Sequence, residues 1–173
     1  ALTNHGTTVM FGPFKGMEMG YCFHPYYLLG TYELELHGLM QKIAMLDLGL
    51  IVNVGAADGY YAIGLALQHP ESRIDAFELR EKAQLNIKIL AELNNVSERV
   101  MIRGVCLPEN LAIAVGDGIK CLVMMDCEGG EKELLDPEII PALRNCTVLV
   151  ELHEFAHRGI VEEIRSRFSS SHR

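Results

Sequence analysis

Residues 51–79, IVNVGAADGYYAIGLALQHPESRIDAFEL, decide the fold. Ile51, Val52 and Val54 form a short apolar run with strand character. Gly55-Ala56-Ala57-Asp58-Gly59 then turns the chain, and Tyr60 to Gln68 continues at helical spacing. A second apolar run, Ile74 to Phe77, ends on Glu78. In an open α/β sheet the ligand sits beyond the carboxyl ends of the strands, where the first turn meets a helix N-terminus. A carboxylate about 20 residues past the glycines is placed to accept hydrogen bonds from a ribose diol. Glu78 lies 19 residues after Gly59. The stretch reads as a nucleoside site, although a turn of this kind can also bind nothing.

The glycine spacing disfavours NAD. A dinucleotide fingerprint needs small residues where the backbone approaches the pyrophosphate and where the helix packs on the sheet. The three fingerprint positions here hold Gly55, Ala57 and Tyr60, and Tyr60 is too bulky for the last of them. No G-x-x-x-x-G-K-[ST] run exists either, so a phosphate-cradling loop is excluded. A nucleoside ligand without phosphates suits the turn. S-adenosylmethionine is one, offering a ribose to Glu78 and an amino-acid tail to the Gly55 turn.

Outward from this unit, the pattern continues as alternating strands and helices. Upstream, residues 1–30 show no sustained period and read as an irregular, hairpin-like cap. Thr31 caps an expected helix from Tyr32 to Leu46, with Leu36, Leu39, Met40 and Ile43 at helical spacing. Downstream, Glu81 to Asn94 is a crossover helix expected to bury Leu85, Ile89 and Leu93. Val100 to Val105 is a third strand, and Leu107 to Val115 a short helix or loop. KCLVMM (120–125) is apolar after its lysine, as parallel strands covered on both faces are. A helix starts at Glu131, limited by Pro137 and Pro141; TVLVEL (147–152) is a fifth strand, and Ile160 to Phe168 a last amphipathic helix. This order specifies one domain: a Rossmann-like three-layer α/β/α sandwich around a doubly wound, mostly parallel sheet.

At 173 residues the chain can bury one substantial core. Its net charge of −8 excludes strong nonspecific nucleic-acid binding, which needs clustered Lys and Arg. Its apolar runs are strand-sized, so no membrane span is expected. Cys22, Cys106, Cys121, Cys127 and Cys146 include no C-x-x-C pair, which favours reduced thiols in a cytoplasmic protein.

VNVGAADGYYAIGLA (52–66) followed by AFEL (76–79) resembles the first two motifs of class I S-adenosylmethionine-dependent methyltransferases. MMDCEGGEKELLDP (124–137) is similar to the D-x-E-G-x-E signature of FkbM-type members, and LVELHEF (149–155) to their E-x-H at the fifth strand. GPFKGM (12–17) and LLGTYELEL (28–36) look like a subgroup of these proteins. The resemblance implies methyl transfer from S-adenosylmethionine, with a hydroxyl of a small molecule or sugar as acceptor. The alternative is a degenerate fold that binds a nucleoside or partner without turnover. Asn53 stands where the family often has an acidic residue. The class I fold has seven strands, so the resemblance also implies strands beyond Arg173, or another copy of the chain, covering the TVLVEL edge.

The expected cofactor set is Asn53, Gly55, Ala57, Asp58, Gly59, Tyr60, Glu78, Leu79, Cys106 and Asp126. Glu128, Glu151 and His153 form the expected acceptor side. His153 and Asp126 are the catalytic candidates, because removing a hydroxyl proton needs a base that works near neutral pH. Glu128 and Glu131 also suit a solvated helix start. A divalent metal between Asp126 and Glu151, near His153, is allowed but not favoured, since no ligand spacing requires it. His153-Glu154-Phe155-Ala156-His157 matches H-E-x-x-H, yet that zinc motif works only on a helix, and here a strand end and loop are expected.

Overall fold

The structure is a computed structural model that describes residues 7–20 and 24–172. Strands β1 (Leu50–Val54), β2 (Arg73–Phe77), β3 (Val100–Arg103), β4 (Cys121–Met125) and β5 (Thr147–Val150) make one sheet in the order β3-β2-β1-β4-β5. Every pairing is parallel. Val54 lies opposite Phe77 on one side and Met125 on the other. The ends of β1, β2 and β4 are therefore level, and the loops after them open on one rim. The strand order reverses between β1 and β4, which is where such sheets form a crevice.

Alternation along the strands sorts the core into two faces. Ile51, Ile74, Leu122 and Met124 pack beneath α3 (Tyr60–Gln68) and α4 (Glu81–Leu93). Val52, Val54, Phe77, Val123 and Met125 pack beneath α5 (Pro108–Val115) and α7 (Ile160–Phe168). With both faces covered, β4 is buried at every position. This is the three-layer sandwich the sequence specifies.

Several expectations need correction. Helix α4 buries Ala83, Ile87, Leu90 and Ala91, while Leu85 and Ile89 remain 56% and 41% exposed. The reason is a close approach: a Cβ at Gly59 would lie 3.1 Å from the Ile87 side chain. The helix presents the face whose small alanines let it sit down on α3. The expected helix over 32–46 is instead a 3-10 turn at Leu34–Leu36 followed by α2, His37–Ile43. Glu33 interrupts it with φ 46°, and the Tyr61 hydroxyl donates to its Oε2 at 2.6 Å. Within the described parts of the expected N-terminal cap, 7–20 and 24–30, some regular structure forms. Thr8 and Glu18 form an antiparallel bridge, and α1 (Pro25–Leu29) starts on a proline and ends at Gly30 with φ 62°. Val9, Phe14, Met17 and Met19 enter the core beneath α3 and α4. Asn94 holds the Glu18 backbone in both directions at 2.8 Å. The third strand stops at Arg103 and the fifth at Val150, each two residues early.

Cys121 and Cys146 are buried free thiols, while Cys106 and Cys127 are half-buried and free; Cys22 lies outside the described residues. No helix among the described residues is long and apolar enough to cross a membrane.

Candidate functional site

The rim is built from the turn after β1. Gly55 has φ 79°, and a Cβ there would sit 1.6 Å from the Asp126 carbonyl oxygen, so only glycine lets this turn abut the end of β4. The Gly55 and Ala56 N–H groups donate to the Phe77 carbonyl at 3.0 and 2.9 Å. Ala57, at φ 46°, donates its N–H to Glu78 Oε2 at 2.8 Å. Glu78 Oε1 accepts from the Arg80 N–H at 2.8 Å and from Arg80 Nε at 2.9 Å. Buried Glu78 thus stitches β2 to the β1 turn. A carboxylate has about four lone-pair sites, so capacity remains for a ligand hydroxyl.

Two cavities meet along this rim. One, of about 510 Å³, runs past Gly55, Ala57, Glu78, Leu79, Cys106, Asp126 and Glu128, with Phe77, Val105, Cys127 and Leu134 as apolar walls. The other, of about 300 Å³, is lined by Asn53, Gly55, Ala57, Tyr60, Asp126 and Glu151. Tyr27, Tyr32, Glu33, Glu35 and Tyr61 complete it. Sequence reasoning had assigned none of these five a role. For all but Tyr61, the signal is the density of tyrosines and glutamates over 26–35. Asp58 and Gly59 line neither cavity. Asp58 accepts from Asn86 Nδ2 at 2.9 Å, and Gly59 packs on Ile87.

Asp126 is the one ionisable side chain that lines both cavities. Burial pushes its carboxyl up to about 6; Glu151, Glu128 and Glu33 add to the rise and His153 opposes it. His153 is only 8% exposed, and its Nδ1 lies 2.8 Å from Glu131 Oε1. Glu131 is no solvated helix start, being fully buried. Burial opposes its ionisation, but hydrogen bonds from backbone N–H groups, Cys127 and Gly129 among them, and from His153 hold it below the usual range. A carboxylate only accepts, so His153 Nδ1 carries the donated hydrogen and Nε2 faces the rim. Nε2 stands 3.5 Å from Glu128, 3.7 Å from Asp126 and 3.9 Å from Glu151. Burial works against protonation of His153, but Glu131, Glu128 and Asp126 outweigh it and raise its pKa.

Asp126, Glu128 and His153 offer ligand atoms within 4.8 Å of one another and could hold a metal ion. The H-E-x-x-H geometry does not occur. Residues 153–157 form a turn, in which the Ala156 and His157 N–H groups donate to the His153 carbonyl.

No protein-family model matches the chain, and no curated protein matches it. Solved structures share its fold. An O-methyltransferase from Bacillus cereus in complex with SAH superposes with a TM-score of 0.55 at 17% identity, covering 80% of this chain and 68% of that one. A precorrin-6y methyltransferase from Geobacter metallireducens gives 0.58 at 15% identity, covering 78% and 70%. The O-methyltransferase TomG from Streptomyces achromogenes, in complex with SAM, gives 0.53 at 16% identity, covering 76% and 63%. At these identities the likeness establishes the fold alone.

Proposed function

We propose that the protein is an S-adenosylmethionine-dependent methyltransferase of the FkbM type, acting on a hydroxyl of a small molecule or sugar. The observation that carries this reading is the position of Asp126, a carboxyl poised near neutrality where a nucleoside-sized cavity opens into a second one. S-adenosylmethionine supplies, when bound, an electrophilic methyl group on a sulfonium. The chain's residues fit such a ligand. Glu78 has acceptor capacity for ribose hydroxyls, and Phe77, Leu79, Val105 and Cys106 offer an apolar slot for a base. The Gly55 turn brings backbone close to the ligand.

On the acceptor side, Asp126 accepts the hydroxyl proton. Glu131 fixes the His153 ring, which opposes the rise in the Asp126 pKa. Calorimetry with S-adenosylhomocysteine and a mass-spectrometric methyl-transfer screen over hydroxyl acceptors test the reading. Binding is expected, weakened in Glu78→Ala by about 1–3 kcal/mol as ligand donors lose their acceptor. Absence of binding overturns the reading; binding with no methyl incorporation leaves a nucleoside-binding module instead.

A further inference from the structure

We propose that the smaller cavity recognises an organic cation, so that the acceptor is a hydroxyl compound bearing an alkylammonium group, as amino alcohols and amino sugars do. The acceptor role rests on the methyl-transfer reading; the cation preference stands on the cavity itself. Among the described residues its charged lining is entirely carboxylate, from Glu33, Glu35, Asp126 and Glu151, with no Lys, Arg or His. Four tyrosines, Tyr27, Tyr32, Tyr60 and Tyr61, line it as well. Tyr27 stacks on Tyr60 with centroids 4.6 Å apart, and Tyr60 meets Tyr61 at 5.4 Å and Tyr32 at 5.5 Å. Ring faces beside carboxylates attract ammonium groups, most strongly when water is excluded.

Burial pushes the Tyr60 phenol up to about 12 and raises Tyr27, Tyr32 and Tyr61 as well, so the rings stay neutral. Two polar atoms point to a missing partner. Asn53 Oδ1 and Tyr60 Oη are buried without hydrogen bonds, and both residues are 3% exposed and line the cavity. The hydroxyl O–H of such a compound, or an N–H where its nitrogen carries one, satisfies either oxygen, and burying them unpaired is costly.

The donor does not exhaust this negative charge. S-adenosylmethionine carries a sulfonium, an ammonium and a carboxylate, a single net positive charge against four carboxylates. A divalent metal is a poorer occupant. Hard cations take six or more oxygens, whereas rings, Leu36, Met124 and Leu149 make up much of this wall. Of the metal-competent group, Glu128 lines the other cavity and His153 lines neither.

The test is calorimetric titration with choline and with its neutral carbon isostere dimethylbutanol, with and without saturating S-adenosylhomocysteine. Choline is expected to bind about tenfold tighter than the isostere. Glu33→Gln should cut that preference to about threefold or less while leaving the isostere unchanged. Glu151→Gln, at an exposed rim position, should lower the preference in the same direction. Equal affinities overturn the proposal, as does Mn²⁺ binding with choline inert. Choline preference without S-adenosylhomocysteine binding would remove the methyl-transfer reading and keep the cation site. The reverse result would remove the cation site alone.

Discussion

Asp126 takes its character from its neighbours. Burial and the carboxylates of Glu151, Glu128 and Glu33 raise it to about 6, against the pull of His153. Removing a hydroxyl proton requires the ionised form, so kcat/KM is expected to fall on the acid side with a pKa of about 6. That value belongs to the coupled cluster as a whole. Stability should move the other way. A carboxyl whose folded pKa lies above its unfolded value of about 3.9 holds its proton more tightly when folded. Its stabilising contribution is full below about 4 and is lost as pH rises through about 6. Asp126→Asn should therefore abolish the acid limb of the rate profile and reduce the fall in melting temperature between pH 4 and pH 7. A variant with an unchanged profile would remove Asp126 from the proton transfer. Nothing in the sequence showed this poise, because it comes first from burial and then from Glu151, just past β5, Glu128 and Glu33.

Among the elements, α4 is where sequence spacing and structure diverge. Two faces of EKAQLNIKILAEL have helical spacing, and the larger leucine and isoleucine side chains favoured the wrong one. Packing against Gly59 selects Ala83, Ile87, Leu90 and Ala91 instead. Ile87→Ala should cost about 2–5 kcal/mol in denaturant unfolding as buried methylenes leave a cavity. Leu85→Gln, on the solvent side, should stay within about 0.5 kcal/mol. Equal costs would show that the buried face is misassigned. By contrast, α3 and α7 match their expected bounds, since a glycine precedes each and a helical period runs through it.

In the whole molecule, the site draws on segments from Tyr27 to His153, so a ligand spanning both cavities couples to global unfolding. S-adenosylhomocysteine at a hundredfold excess over its Kd should add about 2.7 kcal/mol. For a chain of this size that corresponds to roughly 5–10 °C in Tm by thermal scanning, with a smaller gain in Glu78→Ala at the same concentration. No shift at saturation would mean that the ligand does not bind the folded rim. The sequence by itself determined the parallel sheet, the Gly55 turn and the acidic rim, because alternation, glycine spacing and strand-end carboxylates are local signals. Tertiary structure alone decided that Glu78 braces the turn, that Glu131 is buried beneath His153, and that Asp58 packs away from the cavities. It also decided that Tyr27, Tyr32, Glu33 and Tyr61 wall the smaller one. Those roles depend on which distant side chains share a buried volume, and no residue spacing along the chain encodes that.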